Sequence, residues 1–136
     1  MKIGIDPGKK TGIALWDGKE IKFMDSMPFW DAVELLDHYA EVIPDAIVYI
    51  ENPMLNKPVF ARGNKRVVRE MIAQRVGMNK RDAQLLIEYC KRLKLNVKQV
   101  KPSTSKWNAK ELKIYTGITD RTNEHVRDAI KLVYGR

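Results

Sequence analysis

Apolar and polar residues alternate through "MKIGID", and again on both sides of Asp17-Gly18 in "TGIALWDGKEIKF". A period of two marks a half-buried strand. The pattern predicts strands at about 2–6, 12–16 and 19–24. The last two are joined by a tight hairpin, because Asp and Gly both tolerate positive φ. The period then lengthens. "MPFWDAVELLDHYAEVI" predicts a helix over 28–42, with Pro28 suited to its first turn and Val33, Leu36, Ala40 and Ile43 as its buried stripe. Pro44-Asp45 ends it. "AIVYIE" at 46–51 is apolar until Glu51, as in a central strand covered on both faces. Residues 52–64, rich in Pro, Asn and Gly, read as a loop. "KRVVREMIAQRVG" predicts a short helix stopping at Gly77, and a stronger helix follows over 80–94 with Ala83, Leu86, Ile87, Cys90 and Leu93 inward. "NVKQV" at 96–100 is a fifth strand. A helix over 105–117 ends at Gly117, and a last helix from about Thr122 buries Val126, Ala129, Ile130 and Val133.

The order is β-β-β-α-β-α-β-α with an extra helix before the last. Three strands form an antiparallel meander, and two arrive through helical crossovers that set them parallel to the first. The expectation is one α/β domain over residues 1–136, built on a mixed five-stranded sheet flanked by helices.

Composition adds direction. No apolar run approaches the ~20 residues of a membrane span, and Met1 leads at once into a strand pattern rather than a secretory leader. A cytoplasmic protein with no membrane partner is expected. Cys90, the one cysteine, falls on the apolar face of a helix and reads as a core thiol. The net charge of +8 is unevenly spread: residues 1–56 carry five Lys/Arg against ten Asp/Glu, and residues 57–113 carry sixteen against four. A basic block of that density favours a polyanionic partner, nucleic acid above all.

The candidate chemistry lies in acids that the basic block does not explain. Asp6 ends the first strand in "KIGIDPGKKTG" and Glu51 ends the fourth. If these strands are parallel neighbours, both carboxylates reach the sheet edge where α/β sites form. In "NEHVRDAI", His125 and Asp128 share one helix face at i and i+3, bordering the stripe that docks on the sheet. Each has a plain structural reading alone: a turn residue, a solvated strand end, two helix-surface groups. Together they form a cluster of hard ligands that suits Mg²⁺ or Mn²⁺, and two such ions can activate water against a phosphodiester.

"IGIDPGKKTGIAL", "IVYIENP" and "HVRDAIKLVYG", in that order, resemble the RuvC-type Holliday junction resolvases of the ribonuclease H-like superfamily over essentially the whole chain. The resemblance implies a ribonuclease H-like fold and a homodimeric, metal-dependent endonuclease cutting four-way DNA junctions to 5′-phosphate and 3′-hydroxyl ends. It implies Asp6, Glu51 and Asp128 as metal-binding carboxylates, with Asp6 shared by two ions, and His125 as a ligand or water-orienting group. Lys106 matches a region where the family places lysines near the scissile phosphate, with Lys101, Lys110 and Lys113 as alternatives. The loop after Glu51 corresponds to the family's junction wedge, with Met54, Leu55 and Phe60 as its candidates. DNA contacts are expected from Lys57, Phe60, Arg62, Lys65, Arg66, Arg69, Lys80, Arg81, Lys101 and Lys110. For the dimer surface, the helix over 80–94 and Trp107 are candidates, Trp107 being equally readable as core. The chain is shorter than typical bacterial members and its basic stretch at 57–77 departs from their loop, as would suit a phage or prophage enzyme acting on branched DNA more broadly. Three rivals stand beside this reading: a branched-nucleic-acid binding module that does not cut, a YqgF-like nuclease acting on RNA, and an actin-like phosphotransferase, for which the chain is too short.

Overall fold

A computed structural model of the chain describes residues 1–56 and 66–136. Its strands are β1 (Lys2–Asp6), β2 (Thr11–Trp16), β3 (Ile21–Met27), β4 (Ile47–Glu51) and β5 (Asn96–Val100). They form one sheet in the order β3-β2-β1-β4-β5. β1, β2 and β3 pair antiparallel, while β4 runs parallel to β1 and β5 parallel to β4. The helices are α1 (Phe29–Val42), α2 (Arg66–Arg92), α3 (Ala109–Thr116) and α4 (Glu124–Val133), with a 3₁₀ turn at Pro53–Leu55. This is the mixed five-stranded sheet that the patterning predicts.

The strand period of two decides which face each residue meets. Ile3 and Ile5 of β1, Ile13 and Leu15 of β2, and Val48 and Ile50 of β4 enter one core with Leu36 of α1 and Leu86 and Cys90 of α2. The alternate positions turn to the other face. There Ala14 and Trp16 of β2 and Tyr49 of β4 pack with Leu112 of α3 and with Val126, Ala129, Ile130 and Val133 of α4. Asp6 and Glu51 continue this second set. A one-residue slip in register would exchange the faces, dropping Asp6 into the α1/α2 core and exposing isoleucines worth about 1.5–3 kcal/mol each. The apolar pattern therefore directs both acids towards α4.

Four expectations shift. The hairpin has a four-residue loop rather than a two-residue turn: Asp17 accepts hydrogen bonds from the backbone N–H groups of Lys19 (2.8 Å) and Glu20 (2.9 Å), Gly18 takes φ +103°, and β3 starts at Ile21. In α1 the most buried positions are Ala32, Leu36 and Tyr39, with Val33, Ala40 and Ile43 on the flank, so the stripe is rotated by about one residue. Gly77 does not stop a helix. α2 runs through it without a break for 27 residues, because a lone glycine in a solvent-facing turn costs only about 1 kcal/mol against its helix-forming neighbours. Finally, α3 starts at Ala109 rather than 105. Asn108 caps it by accepting from the Glu111 N–H at 2.8 Å while the Glu111 carboxylate accepts from the Asn108 N–H at 2.9 Å, a reciprocal box that fixes the start. Residues 101–108, Lys106 among them, are consequently a loop, and Gly117 ends α3 in a left-handed conformation as expected.

Candidate active site

Parallel pairing of β1 and β4 extends to Ile5 opposite Ile50, so Asp6 and Glu51 come next, side by side at the C-terminal ends of adjacent strands. α4 crosses this edge. Its register against the sheet depends on two glycines: a Cβ at Gly4 would collide with the carbonyl oxygen of Ala129, and one at Gly12 with that of His125. Only hydrogen at these positions lets the α4 backbone approach near enough to bring His125 and Asp128 to the strand ends. Asn123 anchors the start of the helix, accepting from the Val126 N–H at 3.0 Å and donating to Ser26 Oγ of β3 at 2.5 Å.

The four expected residues come together. Asp6, 4% exposed, accepts a hydrogen bond from His125 Nδ1 at 2.8 Å. An ionised carboxylate only accepts, so Nδ1 carries the proton and Nε2 is left as the acceptor of the neutral ring. Asp128, 6% exposed, accepts from Lys106 Nζ at 2.6 Å. Glu51 stands between these pairs, and among the described residues no side chain is hydrogen-bonded or salt-bridged to it.

The electrostatics follow from that arrangement. Burial pushes the Glu51 carboxyl up to about 7, and the negative charges of Asp6 and Asp128 add to the rise against the attraction of Lys106. Burial also raises Asp6, with the His125 hydrogen bond pulling the other way. The hydrogen bond to Asp6 holds the His125 imidazolium above its ordinary value. Lys106 is desolvated, yet its hydrogen bond to Asp128 and the charges of Glu51 and Asp6 raise it overall.

Three carboxylates and an imidazole are the donor chemistry of a hard divalent cation. Burial first, and then repulsion from Asp6 and Asp128, raises Glu51, a cost that a bound cation would relieve. Among the described residues no three His, Cys, Asp or Glu side chains converge at coordinating spacing. Asp6 and Asp128 instead spend an oxygen each on His125 and Lys106. The donor set fits the metal in chemistry, and Lys106 takes the neutralising place beside Asp128.

The supporting residues were not apparent from periodicity. Arg127 donates from Nε to the Trp107 carbonyl at 2.8 Å and from Nη1 to the Thr122 carbonyl at 2.8 Å, pinning the loop that carries Lys106 to the start of α4. Asn52, buried directly after Glu51, donates to Gln99 at 2.8 Å and accepts from the Met54 N–H at 3.0 Å, fixing the chain as it leaves the site. Gly4 and Gly12, which the patterning does not single out, are the sequence feature from which the close α4 contact could have been read.

The expected DNA contacts divide into groups. Lys101 lies beside Lys106 in a pocket next to Glu51 and Asp128. Lys110 is exposed on α3, and Arg66, Arg69 and Arg81 are exposed on α2, with Lys80 half-buried. Arg66 is paired with Glu70 at 2.8 Å. Met54 and Leu55 are both about half exposed on the 3₁₀ turn after Glu51, whereas Lys57, Phe60, Arg62 and Lys65 lie outside the described residues. Trp107 is partly buried against the α4-side core and stacks on Tyr115 at 5.2 Å.

No family model matches the chain, and no curated protein matches it. Among solved structures it is similar to Thermus thermophilus RuvC in complex with Holliday junction substrate, with a TM-score of 0.54 at 16% identity over 96% of this chain and 88% of that one. A second Thermus thermophilus RuvC structure gives 0.53 at 16% identity, over 96% and 89%. From β1 to α4, the chain has the ribonuclease H-like fold of RuvC.

Proposed function

We propose that this chain is a divalent-metal-dependent, structure-selective endonuclease of RuvC type, a single nuclease domain that resolves four-way DNA junctions by phosphodiester hydrolysis. One observation carries the reading: Asp6 and Glu51 end adjacent parallel strands, Asp128 of α4 lies near enough for its charge to act on Glu51, and burial pushes Glu51 up to about 7 with no side chain among the described residues hydrogen-bonded or salt-bridged to it. A protein that only bound DNA would gain nothing from carboxylates placed against phosphate, since their charge opposes binding. The RuvC fold supports the assignment, and the excess of Lys/Arg over residues 57–113 supports a DNA partner.

Asp6, Glu51 and Asp128 would hold Mg²⁺ or Mn²⁺, two ions in the working site. Bound there, the metal supplies an activated water and stabilises the leaving oxygen. The protein's own groups orient and move protons. Asp6 fixes the His125 ring through Nδ1–H, which leaves Nε2 to receive a proton from the attacking water. Lys106 neutralises Asp128 and reaches a phosphate oxygen when Asp128 is otherwise compensated. The products are a 5′-phosphate and a 3′-hydroxyl.

A four-way junction has near two-fold symmetry, so paired cuts call for paired sites and a C₂ dimer. α2 offers a surface for the second copy: Val68, Ile72 and Val76 recur every fourth residue and are all exposed, with Met71 alongside. No helix among the described residues is long and apolar enough to cross a membrane. The chemistry is tested by incubating end-labelled junction with the protein in EDTA, Mg²⁺ or Mn²⁺. Nicks formed only with metal, and resealed by DNA ligase without prior kinase treatment, are expected. Metal-independent nicks, or 3′-phosphate ends, contradict the mechanism.

A further inference from the structure

Beside the carboxylates, on the β5 side of α4, a pocket of about 230 Å³ is lined by Glu51 and Asp128 together with Lys101, Lys106, Lys131 and Arg136. Four cations thus face two acids. Lys106 is committed to Asp128 at 2.6 Å, which leaves three cations against Glu51. Positive charges gathered in so small a space repel one another unless an anion joins them.

Two of the three are braced in place. Lys131 donates to the Ser105 carbonyl, lies 3.4 Å from Ser103 Oγ and sits 5.5 Å over the Trp107 ring. Arg136 lies over the Tyr49 ring with its guanidinium carbon 4.8 Å from the centroid. Tyr49 is two residues before Glu51 on the same face of β4, so the guanidinium is held on the sheet surface that leads to the acids. A guanidinium resting on an aromatic face keeps its N–H edges available, and their fork matches the oxygens of a phosphate.

We propose that this pocket holds the DNA phosphate adjoining the scissile one, with Arg136 and Lys131 as its main ligands. The inference rests on the nuclease reading above and adds a second anchor to it. Gripping the neighbouring phosphate fixes the path of the strand across Glu51 and Asp128, so a single phosphate is presented for cleavage.

The test is binding of fluorescent four-way junction followed by anisotropy in EDTA, where no cutting interferes, between about 50 and 200 mM salt. Wild type, Arg136→Gln and Lys131→Gln are compared, each with a thermal melt. Each substitution is expected to weaken binding about 5- to 10-fold and to lower the slope of log K against log salt by about one, the signature of one lost phosphate contact. Arg136→Gln is the deciding variant, because its side chain lies on the surface whereas Lys131 also braces the 103–107 loop. A neutral methylphosphonate at the phosphate next to the cut (mapped separately in Mg²⁺) should cost the wild type the same factor and Arg136→Gln nothing more. Wild-type affinity and slope in Arg136→Gln, or a sensitive phosphate remote from the cut, overturns the subsite and leaves the nuclease reading intact. A wild type that binds no junction overturns both.

Discussion

Glu51→Gln should make the metal-free protein more stable, and only at a pH where the acid is charged. The wild-type carboxyl is pushed from its ordinary 4.5 up to about 7, so the folded state holds this proton more tightly than the unfolded chain does. Its stabilising contribution is complete below pH 4.5 and is lost as pH rises through about 7. At about 1.36 kcal/mol per pH unit, that gap corresponds to roughly 3.4 kcal/mol. The carboxyl is only partly buried, so solvent screening reduces the figure to about 1–2 kcal/mol. The amide keeps the shape and removes the charge. At pH 8 in EDTA, Glu51→Gln should therefore melt roughly 3–8 °C above wild type, and at pH 4.5 the two should coincide. Circular dichroism melts at both pH values measure this directly. Adding Mg²⁺ should raise the wild-type midpoint and narrow the difference, because the cation binds the folded state. A variant less stable than wild type at pH 8, or a gain equal at both pH values, would refute the claim that burying the Glu51 charge destabilises the metal-free fold.

Gly12→Ala sets a methyl group against the His125 carbonyl oxygen. It should cost about 1–3 kcal/mol in urea unfolding and abolish cleavage by lifting α4 from the sheet, whereas wild-type stability would show that the helix is not seated there. Arg127→Ala frees the Trp107 carbonyl and should slow cleavage more than it weakens junction binding, since it loosens Lys106 rather than removing it; equal losses in both would contradict a positioning role. Burial pushes the Cys90 thiol up to about 12, so Ellman's reagent should label it at pH 8 only after denaturation. Stoichiometric labelling of the native protein would place Cys90 outside the core.

Much of this site could be anticipated because its two central acids end short strands whose alternation is unambiguous. Once β1 and β4 are parallel neighbours, Asp6 and Glu51 must adjoin. The His125 and Asp128 pair was legible for the same reason, on a helix whose apolar stripe is clean. The details that periodicity misses are those written in capping and long-range hydrogen bonds. The α3 start depends on a reciprocal bond between Asn108 and Glu111, and the place of Lys106 in a loop follows from it. Gly77 reads as a stop because glycine so often is one, but among the described residues nothing lies within 4 Å of where its side chain would stand, and the helix carries the small propensity cost. Arg127 and Lys131 bond to backbone carbonyls more than 15 residues away, and Arg136 rests on a ring across the sheet. Side-chain type alone carries no trace of such partners.

The nuclease assignment is tested most directly by cleavage of a labelled panel in Mg²⁺: a four-way junction, a three-way branch, linear duplex and single strand, with Asp6→Asn as the paired protein. Symmetric paired cuts in the four-way junction are expected, with little cutting of duplex or single strand and no cutting of any substrate by Asp6→Asn. Tight junction binding by both proteins, with no cut strand from either, would contradict the assignment and leave a branched-DNA binding module in its place.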